Sequence, residues 1–366
     1  MRKHIQRRDL FLCALLVVLL SISASARNLD GTLNLILRPI STLPAIVKAG
    51  EKLEVTVAAD APITQFRVTL SHGRMNQVVV WDSTREQPPL QPKEGTVTVQ
   101  AAVPQDTAPG LYSLSVRLDP MERRDTSERA VKVVAEWPES YSFAHITDVH
   151  IGREGPPLLD EIVKRTALMI NGLGVDFVLV TGDITDGGKP DQFLRFLQLL
   201  DFFEAPTFLT PGNHDRGEGA QAGSAGNIYE RYCGPGNYTF DLGRHRYLSI
   251  DTRWLAGFRS FAPYSAWLDG QMQRPNPSMG VVFTHKPMDR SEYAYYDEQL
   301  PAHNYGLYVY GHTHHDSIRW IGPKRLMLLN TSEEFMGTFD VVRISGDQVV
   351  SIDHFHRAFG YGSGGY

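Results

Sequence analysis

The stretch Ser142-Phe143-Ala144-His145-Ile146-Thr147-Asp148-Val149-His150 decides how this chain is read. Its first part is apolar enough to predict a buried strand, and its end turns abruptly to a carboxylate and an imidazole two residues apart. The pattern recurs downstream. Residues 176–181 form an apolar run that enters Gly182-Asp183, and residues 207–210 lead to Gly212-Asn213-His214-Asp215. Residues 280–284 deliver His285, and residues 307–310 deliver Gly311-His312-Thr313-His314. Ligands in α/β sheets collect outside the carboxyl ends of the strands, so five such loops can converge on one side. Asp-x-His alone is a weak motif, whereas the ordered set of five is specific. Glycine ahead of a ligand lets the backbone turn and bring the side chain inward.

Around these clusters the pattern predicts helices over 158–170 and 191–203, giving a β-α-β-α-β order and a largely parallel layer flanked by helices. Further strands are expected near 247–250, 280–284, 307–310 and 326–329, and a helix over 263–272. The glycine-rich segment 217–238 reads as a long loop. Upstream, residues 29–135 alternate in short runs such as Leu53-Glu54-Val55-Thr56-Val57, broken by Pro88-Pro89 and Ala108-Pro109-Gly110. That predicts a small all-β, immunoglobulin-like sandwich at 27–136. The pattern changes after Trp137-Pro138, so the α/β catalytic domain is expected over 139–366.

Composition narrows the class. The 366 residues are 42% hydrophobic and 21% charged, which fits a packed core and excludes disordered and collagen-like chains. Lys plus Arg minus Asp plus Glu gives 36 − 41 = −5, so no bulk nucleic-acid binding is expected. Two cysteines exclude a disulfide scaffold. Residues 1–26 read as an export signal: a basic start, an apolar run over 10–20, and Ala24-Ser25-Ala26 for cleavage. The run is shorter than the roughly 20 apolar residues that a span requires, so no transmembrane span is expected in the mature chain. Arg7-Arg8-Asp9-Leu10-Phe11 also fits a twin-arginine pattern, so export by either route, to the periplasm or the medium, is expected.

Carboxylate, imidazole and amide oxygen without thiolate suit Mn, Fe or Zn. Two carboxylates and four imidazoles exceed one ion and fit two divalent ions bridged by one Asp. The positive charge left over matches a phosphate and a bridging hydroxide, which favours phosphoester over peptide hydrolysis.

Across roughly 142–356 these motifs resemble the calcineurin-like metallophosphoesterase family. Within it the nearest look is to the class III cyclic-nucleotide phosphodiesterase type, through His145-Ile146-Thr147-Asp148-Val149-His150 and Gly182-Asp183-Ile184-Thr185-Asp186. The resemblance implies a four-layer α-β-β-α sandwich. It implies Asp148, His150 and His314 on a first metal, Asp183 as the bridge, and Asn213, His285 and His312 on the second. His214 would lie over the scissile phosphate, with Asp215 orienting it. The expected protein is thus an exported dinuclear-metal phosphoesterase, acting on phosphomonoesters or phosphodiesters by attack of a metal-bridged hydroxide. The alternative is a surface-polymer binding protein, anchored through the β-domain, whose phosphoesterase half is degenerate. Ile184-Thr185-Asp186 after Asp183 departs from the Asp-Tyr pair of purple acid phosphatases, so no tyrosinate ligand is expected.

Other polar residues receive plainer readings. His145 is expected to pack in the core, His315 to be exposed, and His303, His354 and His356 to be structural. Asp186 is either a partner to a ligand or a turn residue. Tyr293, Tyr295 and Tyr296 read as a surface loop before they read as a substrate wall. Arg253 and Arg259 are possible holders of a remote phosphate or sugar, and Cys233 is expected to be inert.

Overall fold

The computed structural model describes residues 27–28, 30–73, 76–83, 88–119, 123–154, 159–217, 227–253, 262–287, 293–321, 326–331 and 337–356. The expected export signal and Arg259 lie outside the described residues. The first eight strands are β1 (Ile36–Arg38), β2 (Ala45–Lys48), β3 (Lys52–Ala58), β4 (Gln65–His72), β5 (Asn76–Asp82), β6 (Thr96–Ala102), β7 (Gly110–Asp119) and β8 (Arg123–Val134). They form a three-stranded sheet, β1-β3-β6, and a five-stranded sheet, β2-β8-β7-β4-β5. Alternation places Leu53, Val55 and Val57 of β3 with Phe66, Val68 and Leu70 of β4 in one buried core, while intervening residues face outward.

The C-terminal half contributes β9 (Ser140–Ile146), β10 (Phe177–Thr181), β11 (Thr207–Thr210), β12 (Tyr238–Leu242), β13 (His245–Ile250), β14 (Met279–Thr284), β15 (Tyr305–Tyr310), β16 (Ser317–Ile321), β17 (Leu326–Asn330), β18 (Phe339–Ser345) and β19 (Gln348–Phe355). One sheet runs β11-β10-β9-β18-β19 and the other β12-β13-β14-β15-β17-β16. The strands that carry the motifs are parallel within each sheet: β9, β10 and β11 in one, β14 and β15 in the other. Their carboxyl ends therefore open on one rim.

The sheets pack face to face. Phe177 of β10 lies 5.1 Å from Tyr247 and 5.7 Å from Phe240 of the opposite sheet, centroid to centroid. On the outer face of the first sheet, helices Leu159–Leu173 and Pro190–Leu199 bury Val163, Ile170, Phe193 and Phe196 against Ile146, Val178 and Val180. On the second, helices Ala262–Met272 and Tyr293–Ala302 bring Leu268 and Leu300 against Leu248 and Val282. The result is helix, sheet, sheet, helix. Strands covered on both faces lose alternation, which is why Phe177–Thr181 and Met279–Thr284 are unbroken buried runs. Among the described residues no helix is long and apolar enough to cross a membrane.

Three elements differ from the sequence reading. The segment expected as a long loop contains helix Ile228–Cys233, started by Asn227, whose side-chain oxygen accepts the Glu230 N–H at 3.1 Å. The tyrosine segment is the helix Tyr293–Ala302, not a loop, although the side chains of Tyr293, Tyr295 and Tyr296 lie outside the described residues. The hairpin β18–β19 extends the first sheet antiparallel to β9.

The two halves also share more than a linker. Their buried apolar residues form one continuous cluster from Leu35 through Val133 to Phe143, Phe177 and Phe283. Arg129 donates to the carbonyls of Leu200 and, at 2.8 Å, Ala205. Arg27 donates to Tyr232 O at 2.6 Å, and Thr42 Oγ1 to Cys233 O at 2.9 Å. The carbonyls of Leu200, Tyr232 and Cys233 sit at helix ends, where the helix itself leaves acceptors unpaired, and that of Ala205 lies in the bend before β11.

Candidate metal centre

The five loops meet at the rim. Asp148, His150 and His314 bring one donor atom each within 4.8 Å of one another, and so do Asp183, His285 and His312. A third set, His150, Asp183 and His214, ties the first two together through shared residues. His285 Nε2 is 3.1 Å from Asp183 Oδ2, and His314 Nε2 is 3.1 Å from Asp148 Oδ1. His150 Nε2 lies between the carboxylates, 3.7 Å from Asp148 Oδ1 and 3.8 Å from Asp183 Oδ2.

The backbone is strained where these side chains leave it. Among the described residues, five of the eight non-glycine positions with positive φ are Asp148, His150, Asp183, His312 and His314. Each left-handed residue of this type costs on the order of 1–3 kcal/mol, and such strain gathers at functional sites. The glycines act by proximity. A Cβ on Gly212 would stand 2.1 Å from Asp183 Oδ1, and one on Gly311 would stand 1.9 Å from Thr147 Oγ1. Only hydrogen fits there, so the loops can touch.

Threonines that end strands steady the loops from beneath. The single Thr147 hydroxyl proton is shared between Asp148 Oδ2, at 2.8 Å, and Thr181 O, at 2.9 Å. Thr284 Oγ1 donates to Thr252 Oγ1 at 3.0 Å, and the Thr252 hydroxyl accepts the Lys286 N–H at 3.0 Å. Thr147, Thr181, Thr210 and Thr284 are all fully buried. The sequence reading noted Thr147 and Thr284 within its motifs but gave none of the four a role, although a threonine closing an apolar strand just before a ligand turn was visible in all four places.

Oxygen acceptors fix the imidazoles. His285 Nδ1 donates to Thr181 O at 2.8 Å, and His150 Nδ1 donates to Asp186 Oδ1 at 3.1 Å. Each ring thus presents Nε2 to the carboxylates, the arrangement by which outer partners orient metal-binding histidines. Asp186 is therefore a partner to His150. It also engages His214, whose Nδ1 is 2.6 Å from the Asp186 carbonyl oxygen. A carbonyl only accepts, so Nδ1 of His214 holds a proton and Nε2 donates only from the imidazolium.

Asp215 departs from its expected role. Its carboxylate does not reach the His214 ring; it accepts N–H bonds from Gly212 at 2.8 Å, Thr185 at 2.9 Å and Ile184 at 3.2 Å, and the Thr185 hydroxyl at 2.8 Å. A fully buried carboxylate next to three free N–H groups satisfies them before it turns outward. Asp215 pins the Asp183 loop to the Asn213 turn. Arg253, expected as a possible phosphate holder, is buried and clamped by Asp251 at 2.6 Å and by Asn227 at 2.8 Å. His315 is exposed, as expected, and His354 and His356 pair with Asp340 and Asp316.

The charges of the cluster call for a cation. Burial pushes Asp148 and Asp183 up, but the charge of His285 and hydrogen bonds from neighbouring imidazoles and N–H groups win, holding both below the usual carboxylate range. Burial alone would depress His285, yet Asp183 and Asp148 raise it to about 9. Burial, then the charge on His285, lower His312 to about 4. A proton on His285 thus balances two carboxylates, a place that a divalent ion would take over. Asn213 Oδ1 is buried and accepts no hydrogen bond among the described residues. An orphan amide oxygen beside this donor set fits a hard or borderline cation.

Residues 141–316, which hold the whole donor set, match the family model described as calcineurin-like phosphoesterase. The chain carries a calcineurin-like phosphoesterase domain. The chain is similar to the 3′,5′-cyclic adenosine monophosphate phosphodiesterase of Pseudomonas aeruginosa, 26% identical over 215 residues, spanning 53% of this chain and 74% of the relative. It is also similar to a glycerophosphodiester phosphodiesterase of Enterobacter lignolyticus, 29% identical over 165 residues, spanning 40% of this chain and 56% of that one. Among solved structures, a purple acid phosphatase of yellow lupin (Lupinus luteus) shares the fold, with a TM-score of 0.51 at 12% identity over 86% of this chain and 73% of that chain. The phosphoesterase domain, with these phosphodiesterase relatives, makes the protein a metal-dependent phosphoric ester hydrolase.

Proposed function

We propose that this phosphoesterase is an exported phosphodiesterase with a dinuclear metal centre. The observation that carries the reading is a pair of three-donor clusters linked by a third set, which takes His150 from one and Asp183 from the other. Asp148, His150 and His314 would hold one ion, Asn213, His285 and His312 the other, and Asp183 both. Paired divalent ions supply Lewis-acid polarisation of a phosphoryl group and lower the pKa of water. The chain's own residues do the rest. Asp148 and Asp183 stay ionised across the neutral range, and Thr181, Asp186 and Thr147 hold the ligands in register. His214, edge-on to His150 at 4.7 Å between centroids and exposed, is positioned to protonate a departing alkoxide from Nε2.

Both named relatives act on phosphodiesters, which favours diesters over monoesters here. Export rests on residues 1–26, and a chain cut after Ala26 keeps the Arg27 grip on Tyr232 O. The N-terminal sheets we read as an immunoglobulin-like support for the catalytic framework, because their arginines hold helix ends there. Among the described residues no comparable feature supports a surface-polymer anchor. The test is a substrate panel on the Mn²⁺-loaded mature chain: bis(nitrophenyl) phosphate and cyclic nucleotides turned over faster than nitrophenyl phosphate support the reading. Exclusive monoester turnover, or none, refutes it.

A further inference from the structure

One chain of hydrogen bonds, exposed at His354 and buried from Asp340 inward, runs beneath the metal centre without belonging to it. His354 Nδ1, on β19, is 2.6 Å from Asp340 Oδ1 on β18. Asp340 Oδ2 accepts the hydroxyl of Thr331 at 2.5 Å. Thr331 Oγ1 is 2.5 Å from His145 Nδ1, and His145 Nε2 is 2.7 Å from Thr181 Oγ1. Asp340 and His145 are directly opposite in the β18–β9 register. His145, Thr181, Thr331 and Asp340 have no solvent exposure.

The proton order follows from the donors available. Thr331 has one hydroxyl proton and gives it to the carboxylate, so its oxygen accepts from His145 Nδ1–H. His145 Nε2 then carries the lone pair and accepts from Thr181. The ring is neutral in one tautomer, and burial depresses its pKa to about 3. Every polar atom of the ring is satisfied, a condition under which a buried network fixes one arrangement. Its far end is Thr181, whose own carbonyl receives His285 Nδ1 and Thr147 Oγ1, and whose next two residues are Gly182 and Asp183.

We propose that His145 is a positioning residue of the metal centre. Held between Thr331 and Thr181, it fixes the carbonyl that aims His285 and the turn that presents Asp183, so the β18–β19 hairpin helps to shape the site. A phenylalanine would keep an aromatic ring in the core but remove the acceptor for the Thr181 hydroxyl and the donor to Thr331 Oγ1. This role rests on the dinuclear reading above.

The test uses the full mature chain stripped by chelator and titrated with Co²⁺, read by visible absorption, with metal-free thermal unfolding in parallel. Thr331→Val keeps the shape and removes the hydroxyl; Thr331→Ser keeps the hydroxyl. Loss of an outer partner typically weakens metal affinity about 10–100-fold. Wild type should take up two equivalents, Thr331→Val should bind at least one of them weaker by that range, and Thr331→Ser should stay near wild type. Thr181→Val should show the same loss, and it supplies the reading if Thr331→Val does not fold. Wild-type affinity in the valine variants, whatever their melting temperature, overturns the role of His145, and so does a serine variant as weak as valine. A wild-type chain that takes up no Co²⁺ overturns the metal centre and this role together.

Discussion

The N-terminal sheets and the strand-end loops of the phosphoesterase domain hold their polar groups in opposite ways. In the first, polar atoms find partners that the fold supplies: Asp125 accepts the N–H groups of Leu35 and Ile36 at 2.8 Å each, and Arg129 caps carbonyls of the neighbouring framework. In the second, two carboxylates crowd three histidines on left-handed backbone, and an amide oxygen is left without a partner among the described residues. The first region settles its charged groups within the fold, although Trp81 Nε1, Thr107 Oγ1 and Arg129 Nε are buried without a hydrogen-bond partner among the described residues. The second is completed by what binds. What separates the two regions is the gathering of carboxylates, imidazoles and an amide oxygen at one rim, a better guide to function than an unpartnered polar atom by itself.

That contrast can be broken most severely at Asp183. Asp183→Asn should nearly abolish turnover and lower bound metal, because its Oδ2 lies 3.1 Å from His285 of one cluster and 3.8 Å from His150 of the other, the place of the proposed bridge; wild-type metal content in the purified variant would remove it from the centre. His214→Ala should keep both metals and lose about 10²–10⁴-fold in rate, the usual worth of a positioned general acid. The loss should be larger for an alkoxide leaving group than for nitrophenolate, and equal losses would deny it the proton. Metal uptake itself should be pH-linked. His285 holds its proton up to about pH 9, so binding at pH 7 must expel that proton and binding above pH 9 should not. Proton release measured in weak buffer checks the sign; none at pH 7 would mean the ring does not face the ions.

On the other side of the comparison, Arg129→Ala should lower stability while leaving the rate per folded molecule unchanged. Orphaning buried carbonyl acceptors costs on the order of 1–3 kcal/mol, readable as a shifted urea midpoint. A fall in turnover without a shift would move the N-terminal region into the catalytic machinery. The smallest effect is expected at Thr56→Ala, which removes an exposed cross-strand contact with Thr98 at 2.9 Å. Such pairs contribute roughly 0.2–1 kcal/mol, and neither metal content nor rate should move.

Much of the second region was legible in the sequence because its chemistry is written in short motifs. Ligand turns follow apolar strands, and the five clusters named the residues that the loops bring together. Local rules failed where long-range partners decide. Asp215 lies beside His214 in the chain, but three backbone N–H groups from other turns claim its carboxylate. Arg253 carries no mark of burial until Asp251 and Asn227 are placed around it. His145 reads as core from its strand and is core by exposure, yet its partners come from β10, β18 and the segment after β17. The β18–β19 hairpin escaped notice because its second strand is only partly covered and lacks a clean alternation. The N-terminal sheets were legible as strands, while their grip on helix ends was not, since nothing local links Arg129 to Leu200.

The most direct test of the shared two-ion centre is metal stoichiometry in the chelator-stripped, full mature chain titrated with Mn²⁺ at pH 7, for wild type and Asp183→Asn side by side. Two equivalents per chain in wild type, with weakened uptake of both in the variant, is the predicted result. One equivalent or none in wild type, or two equivalents untouched by loss of the Asp183 carboxylate, would contradict it.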